Sequence, residues 1–95
     1  MLYVLFCEDK PDAEDLRLAN RENHLAWVGT RSHQIRLAGP MLSDDGEHML
    51  GSMFILEADS TDAVRAFNAE DPYTLAGLWG NVVVRPFRQV LPPLA

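Results

Sequence analysis

The order in which strand-like and helix-like segments follow one another constrains the fold of this chain most strongly. Four apolar segments rich in β-branched or aromatic side chains predict strands, at residues 1–7, 35–42, 48–58 and 81–91. Two helices are predicted between them, over about 13–32 and over 61–69. The order is therefore βαββαβ. This order predicts an α+β, ferredoxin-like sandwich, in which a four-stranded antiparallel sheet carries its helices on one face.

Short polar motifs predict where these elements begin and end. Glu8-Asp9-Lys10-Pro11 is expected to end the first strand, and Asp12 to cap the first helix. Ser60 is a typical cap for the second helix. Asp71-Pro72-Tyr73 predicts a further short helical turn, because proline suits the first helical position. Gly39-Pro40 interrupts the second strand, which indicates an edge strand or a bulge.

The predicted strands are apolar on both faces. In the first strand, Leu2, Val4 and Phe6 alternate with Tyr3, Leu5 and Cys7, and the third strand repeats the pattern. Two helices can cover only one face of such a sheet, and an open antiparallel face is usually polar. We therefore expect a homodimer in which sheet packs against sheet, with ligands near the rim.

Length and charge exclude several classes of protein. Ninety-five residues predict a single domain, residues 1–95. With 8 basic and 14 acidic side chains the net charge is −6, which argues against a nucleic-acid partner or an anionic membrane. No apolar run approaches the roughly 20 residues of a membrane span, and the first ten residues lack the pattern of a signal peptide. A cytoplasmic protein is therefore expected.

The predicted first helix carries the main candidate for chemistry. Arg17, Arg21 and His24 fall within roughly 60° of arc on a helix that turns about 100° per residue. Leu16 and Trp27 are expected to face the sheet, which places His24 at the edge of the buried stripe. Histidine is the usual proton-transfer group, and the arginines could hold an anionic substrate. The alternative is a boundary histidine that only packs its ring.

Other residues offer weaker signals. Asp71 could cap the short helix or orient a histidine, and both roles can hold at once. Ser52 follows Gly51, which permits a close approach of the backbone, and Gly39-Pro40 could shape a pocket rim. Cys7 is expected to be packed rather than nucleophilic.

The sequence offers little sign of bound metals or phosphates. The one cysteine excludes an internal disulfide and a thiolate zinc cluster, and no two histidines share a helix at metal-ligand spacing. His33 is expected at the exit of the first helix and His48 beside an acidic loop. No phosphate-binding glycine loop is present, so neither a metal nor a cofactor is expected. The tail from Pro92 to Ala95 is expected to be a loose end.

Several motifs together resemble the YciI-like (YCII-related) family over nearly the whole chain. They are Arg17-Leu18-Ala19-Asn20-Arg21-Glu22-Asn23-His24, Ala38-Gly39-Pro40, Gly51-Ser52, Asp71-Pro72-Tyr73 and Val84-Arg85-Pro86-Phe87. The resemblance implies a ferredoxin-like subunit of a dimeric α/β-barrel assembly. It also implies an active site built on a His-Asp pair, matched here by His24 and Asp71. The loop from Ser43 to Glu47 is shorter than in many relatives, which leaves the size of the pocket open.

Two functions follow as hypotheses. The first is a small cofactor-independent enzyme of isomerase, lyase or dehydrohalogenase type, acting on a small cyclic or aromatic metabolite. His24 and Asp71 would be catalytic, and Arg17, Arg21, Ser52, Gly39 and Pro40 would bind substrate. The second is a non-catalytic dimeric module that binds a small ligand or a partner; an accessory subunit of a larger enzyme is a third reading. A His24–Asp71 distance within about 3.2 Å beside a cavity would favour the enzyme.

Overall fold

A computed structural model describes residues 1–93 of the chain as seven helices and strands and one 3-10 turn. In chain order the elements are β1 (Leu2–Asp9), α1 (Glu14–Thr30), the 3-10 turn (Ser32–Gln34), β2 (Ile35–Leu42), β3 (Met49–Glu57), α2 (Thr61–Ala69), α3 (Pro72–Leu75) and β4 (Trp79–Phe87). Of the predicted loose tail, Leu94 and Ala95 lie outside the described residues. None of the helices within residues 1–93 has the length and apolarity needed to cross a membrane.

The four strands form one antiparallel sheet in the order β2-β3-β1-β4. This confirms the predicted ferredoxin-like arrangement, with the first strand inside the sheet and the second and fourth at its edges. Alternate residues of β1, Tyr3, Leu5 and Cys7, point to the helices and are buried. They form one core cluster with Phe54 and Val84 of the neighbouring strands.

The central strand extends further than predicted. Glu8 and Asp9, which were expected to end the strand after Cys7, still belong to β1 and pair with Asn81 and Trp79 of β4. A carboxylate is tolerated at Asp9 because Arg17 neutralises its charge. The strand propensity of aspartate does not include such a contact with a distant residue. The last strand is also shifted from its predicted bounds, residues 81–91, because it pairs along the whole length of β1. It begins at Trp79, opposite Asp9, and ends at Phe87, opposite Leu2, where its partner strand begins.

The predicted Asp12 cap of α1 is wrong. The N-cap residue is Ala13, and no side chain accepts a hydrogen bond there. Asp12 instead has a φ of 54°, a left-handed conformation that aspartate adopts more readily than most residues. The other two caps are confirmed: Ser60 accepts from the Ala63 N–H, and Asp71 accepts from the Tyr73 N–H.

Gly39 and Pro40 do not interrupt β2. The strand runs through them, with Gly39 opposite Met53 and Pro40 opposite Ser52, and its register shifts lie nearer the two ends. A proline fits here because β2 is an edge strand and one side of its backbone needs no partner. Of the two alternatives, the edge strand is confirmed and a bulge at Gly39-Pro40 is not.

The face of the sheet turned away from the helices is apolar at its centre, with Arg85 of β4 opposite Val4. Val4, Phe6 and Met53 lie on it and are partly exposed, with Phe6 directly opposite Met53. The expected second apolar face is therefore present, and the helices of this chain leave it uncovered.

Replacing Gly51 by alanine should destabilise the sheet. A Cβ at this position would collide with the carbonyl oxygen of Cys7 and the end of the Met41 side chain. Since the carbonyl belongs to the central strand, backbone must move, and we expect Gly51→Ala to lower the free energy of unfolding by about 1–3 kcal/mol. Urea denaturation followed by circular dichroism measures the change.

Gly29→Ala is the matched control. A Cβ at Gly29 meets nothing within 4 Å, and the residue lies in α1. Alanine is favoured over glycine in a helix, so this variant should gain about 0.5–1 kcal/mol. Equal stability of the two variants would contradict the close approach of backbone at Gly51.

Candidate active site

A buried carboxylate joins α1 to the start of α3. Asp71 Oδ1 lies 2.8 Å from His24 Nδ1 and also accepts the Tyr73 N–H at 2.9 Å. Asp71 is fully buried, and His24 is 8% exposed. The sequence placed these two residues 47 positions apart, and the fold brings them into contact. Asp71 therefore serves both roles considered for it, helix cap and partner of a histidine.

The carboxylate determines which nitrogen of His24 carries the proton. An ionised carboxylate only accepts hydrogen bonds, so Nδ1 must donate to Oδ1. In the neutral ring Nε2 is then the nitrogen with a free lone pair, and it is not bonded to another of the described residues. This arrangement leaves Nε2 available to take a proton.

The ring of His24 is clamped by aromatic side chains. Tyr73 stacks on it with ring centroids 3.9 Å apart and planes at 16°. Phe54 meets it edge-on, with centroids 6.3 Å apart. These contacts fix the plane of the imidazole, while Asp71 fixes its rotation, so Nε2 has a defined direction.

Arg17 is the second buried polar group of the site. Its Nε and Nη2 donate to the two carboxylate oxygens of Asp9 at 2.8 and 2.9 Å. Nη2 also donates to Ser52 Oγ at 3.0 Å, and the guanidinium lies 4.6 Å from the centroid of the Tyr73 ring. Because a guanidinium only donates, Ser52 must accept from it and keeps its own O–H free to donate.

These residues border a cavity of about 80 Å³ between α1 and the sheet. Arg17, Arg21, His24, Ser52 and Tyr73 line it, together with apolar residues such as Leu25, Val28 and Phe54. Gly39 and Pro40 form part of its wall on the edge strand. All seven predicted site residues thus come together, six of them on the cavity and Asp71 directly behind His24.

The buried side of α1 differs from the prediction. Leu16, which was expected to face the sheet, is 38% exposed, whereas Arg17 is 2% exposed. Trp27 does pack against the core. Arg17 can be buried because Asp9 compensates its charge and the Tyr73 ring covers it. His24 accordingly lies within the buried face of α1 and not at its edge.

Tyr73 remains a protonated phenol at neutral pH. Burial raises the pKa of Tyr73, and the guanidinium groups of Arg17 and Arg21 oppose the rise only in part. The hydroxyl can therefore donate a hydrogen bond near the two arginines.

The other candidates do not line the cavity. Burial and the nearby Asp71 raise the pKa of Cys7 to about 12, so its thiol stays protonated and packed. His33 is exposed, and His48 pairs with Glu14 at 2.8 Å on the surface. Within residues 1–93 no three His, Cys, Asp or Glu side chains are grouped to hold a metal ion.

Sequence reasoning gave no role to Asp9 and Tyr73, although both belong to the site. Asp9 could have been found from the alternation of side chains along β1, since residues 3, 5, 7 and 9 share the face that the helices cover. The signal for Tyr73 is its distance of two residues from Asp71 in a short helix. Neither signal shows by itself that the side chain meets Arg17 or His24.

The fold and the paired, buried histidine and aspartate define a small α+β domain with a candidate acid/base site. The family model of the YCII-related domain matches residues 1–88. The chain therefore belongs to the YCII-related domain family, as the resemblance of its motifs predicted.

Several known proteins are similar over almost their full length. Protein YciI of Escherichia coli is 38% identical, and an uncharacterised protein of Haemophilus influenzae is 37% identical; each alignment covers 95% of this chain and 99% of the relative. Among solved structures, 5-chloro-2-hydroxyhydroquinone dehydrochlorinase (TftG) of Burkholderia phenoliruptrix, in complex with 2,5-dihydroxybenzoquinone, is 34% identical. The match has a TM-score of 0.86 and covers 93% of this chain and 94% of that one.

Removing the charge of Asp9 should destabilise the protein strongly. Asp9→Asn keeps the size of the side chain but leaves the Arg17 guanidinium buried without a counter-charge. Breaking a buried ion pair in this way typically costs a few kcal/mol, and we expect a loss of about 3 kcal/mol in the free energy of unfolding. Urea denaturation at neutral pH measures it.

Asp44→Asn provides the control, because it makes the same chemical change at an exposed loop residue. Its free energy of unfolding should stay within about 0.5 kcal/mol of the wild type. If Asp9→Asn and Asp44→Asn unfold at the same urea concentration, Asp9 does not compensate the charge of Arg17.

Proposed function

We propose that this protein is a small enzyme that uses His24 and Asp71 for general acid/base chemistry on a small cyclic or aromatic molecule. The reaction is an isomerisation, an elimination or a dehydrohalogenation, each of which needs only a positioned group that takes and returns a proton. Such proton transfer requires side chains alone, so the proposal includes no cofactor.

One observation carries the proposal. The 2.8 Å contact between His24 Nδ1 and Asp71 Oδ1 lies at a cavity, with Nε2 free of other bonds to the described residues. A His24–Asp71 distance within about 3.2 Å beside a cavity is the arrangement expected of an enzyme. A buried aspartate that holds the tautomer and stabilises the imidazolium is the arrangement by which a histidine becomes an effective base.

The chemistry of the cavity supports a ring substrate. Its apolar walls, such as Leu25, Val28 and Phe54, suit a flat carbon skeleton. Ser52 and Tyr73 offer hydroxyl donors, with Gly39 and Pro40 as the opposite wall. In an elimination of HCl, Nε2 would take a proton from a hydroxyl or an sp³ carbon of the ring. The electron pair of the broken O–H or C–H bond would form a new double bond through the ring, and chloride would leave with the electron pair of the C–Cl bond.

The similarity to TftG supports the same class of reaction. That protein is a dehydrochlorinase of a chlorinated hydroxyhydroquinone, with 34% identity to this chain over 93% of its length. A chlorinated polyhydroxybenzene is therefore the rational first substrate for this protein.

The test compares turnover of 5-chloro-2-hydroxyhydroquinone by the wild type, His24→Gln and Asp71→Asn. We expect chloride release by the wild type and a loss of about 10²–10⁴-fold in each variant. Asparagine is also a good N-cap, so Asp71→Asn keeps α3 capped while removing the carboxylate. Chloride release under nitrogen gives the rate, and circular dichroism reports folding.

His33→Gln is the matched control, since it removes an exposed histidine that does not line the cavity and should keep the wild-type rate. If His24→Gln is folded and as active as this control, His24 is not the acid/base group. If the wild type binds ring compounds but converts none, the protein is a binding module instead.

That second function, a non-catalytic module for a small ligand, has an observation in its favour. Asp71 caps α3 and His24 packs against Tyr73, so the pair also contributes to the fold. The cavity of about 80 Å³ is small and accepts only a compact ligand. The turnover experiment separates the two functions.

We also propose that this single domain, residues 1–95, works as a homodimer through the uncovered face of the sheet. Val4, Phe6 and Met53 give this face an apolar centre, with Arg85 opposite Val4 and Glu8 two residues beyond Phe6. Two copies related by a two-fold axis can bring these apolar residues together, although each chain carries a net charge of −6.

Introducing charge at this face should separate the subunits. We expect sedimentation equilibrium to give the mass of two chains for the wild type and of one chain for Phe6→Asp/Met53→Asp, because two buried carboxylates per subunit would be unpaired. Leu18→Asp is the control, as it is exposed on the helix side, and it should remain dimeric. A wild type with the mass of one chain at micromolar concentration would refute the dimer.

A further inference from the structure

The segment between α2 and β4, residues 70–78, carries two groups that hold the His24 ring. Asp71 contacts its Nδ1, and Tyr73 stacks on its face. The helix in this segment, α3, has four residues, and a helix of that length is not stable on its own. Contacts with other elements must therefore keep Asp71 and Tyr73 at their positions.

The carboxylate of Asp71 is held through one oxygen. Oδ1 contacts His24 and accepts the Tyr73 N–H, whereas Oδ2 has no hydrogen-bond partner among residues 1–93. Two contacts at a single oxygen leave the direction of the carboxylate dependent on where the Asp71 backbone lies. The position of this backbone therefore decides whether the carboxylate meets His24.

A chain of side-chain hydrogen bonds runs from β4 to α2 across this segment. Trp79 Nε1 donates to Thr74 Oγ1 at 2.8 Å, and Thr74 Oγ1 donates to Asn68 Oδ1 at 3.2 Å. The direction of the chain is determined, because an indole N–H only donates and a hydroxyl has a single proton. Cys7 Sγ lies 3.9 Å from the same Asn68 oxygen and joins the chain to the central strand. The Thr74 hydroxyl thus ties the end of α2 to the start of β4.

We infer that Thr74 is a positioning residue that holds Asp71 and Tyr73 against His24. Thr74 does not line the cavity, so it acts on the reaction through these two residues and not on the bound molecule. This inference rests on the proposed function and adds to it a residue outside the cavity.

The first effect of Thr74 is on Asp71. Asn68 and Thr74 lie three residues to either side of Asp71, so the hydrogen bond between their side chains closes a loop around its backbone. The Asp71 N–H also donates to the Asn68 carbonyl at 3.1 Å. Asn68 is buried, and a buried amide oxygen that loses a donor is costly, which keeps the loop closed.

The second effect is on Tyr73. Thr74 fixes the indole of Trp79, which meets the Tyr73 ring edge-on, with centroids 5.6 Å apart and planes at 83°. The Tyr73 ring in turn stacks on His24. The three rings are packed in succession, so an indole that shifts would let the imidazole shift with it. One hydroxyl therefore supports the histidine through both its carboxylate and its aromatic neighbour.

Thr74→Val tests this inference, because valine keeps about the same volume but has no group that donates or accepts a hydrogen bond. The readout is the proton resonance of His24 Nδ1–H in water, which lies far downfield because the proton is bonded to a carboxylate. Its absence from His24→Gln assigns it. We expect Thr74→Val to lose the resonance through exchange with water, and Thr74→Ser to keep it because serine retains the hydroxyl.

Turnover of 5-chloro-2-hydroxyhydroquinone gives a second readout. We expect Thr74→Val to lower kcat about 10–100-fold, because a histidine that is no longer held in place transfers protons slowly. KM should stay within about threefold of the wild type, since the walls of the cavity are unchanged. Thr74→Ser should restore most of the lost kcat.

Val64→Ala is the control for a loss of stability alone. Val64 lies in α2, as Asn68 does, but its side chain belongs to the apolar core cluster. Removing two buried methyl groups should lower the melting temperature at least as much as Thr74→Val does. Below that temperature, Val64→Ala should keep both the His24 resonance and the kcat of the wild type.

Three results would overturn the inference. One is a folded Thr74→Val protein whose His24 resonance is as sharp as that of the wild type. Another is a Thr74→Val protein with the kcat of the wild type. The third is loss of the resonance in folded Val64→Ala as well, which would make the effect one of stability alone. The resonance is measured without substrate, so it decides the role of Thr74 even if the wild type releases no chloride, the result that would refute the proposed reaction.

Discussion

The buried carboxylate of Asp71 is the constraint around which both the fold and the candidate chemistry are arranged. One oxygen, Oδ1, accepts from His24 on α1 and from the backbone at Tyr73 on α3. The other, Oδ2, is buried without a hydrogen-bond partner among residues 1–93. A carboxylate so poorly solvated depends on the hydrogen bond from His24. The contact that holds α1 to α3 is thus also the one on which the proposed acid/base chemistry depends.

The segments that sequence patterns predict well are those whose signal is local. The βαββαβ order, the Ser60 cap and the Asp71-Pro72 turn each depend on residues adjacent in the chain, and all three appear in the structure. The Asp12 cap failed because the chain can begin a helix from Ala13 with no side-chain acceptor. The His24–Asp71 pair could be anticipated because the motifs resembled those of a known family, not because of their spacing.

The rest of the site depends on contacts between distant parts of the chain. A polar residue on a helix is expected to face solvent, and nothing around Arg17 indicates that Asp9, Ser52 and two aromatic rings meet its guanidinium. Because Leu16 is apolar, the sequence predicts that Leu16 is buried and not Arg17, and the structure shows the reverse. Burial of a charge is decided by tertiary pairing, and a hydrophobic pattern carries no information about it.

The wall of the cavity on β2 has a consequence for how relatives of this protein can diverge. Gly39 and Pro40 lie on an edge strand, while His24 and Asp71 lie on helices. Ala38 and Pro40 lie opposite Phe54 and Ser52, so their side chains share the face that the helices cover and border the cavity from the edge strand. Substitutions at Ala38 and Pro40 can therefore change the wall of the cavity while His24 and Asp71 stay unchanged. The shape of the cavity and the His24–Asp71 pair are carried by different elements of the fold.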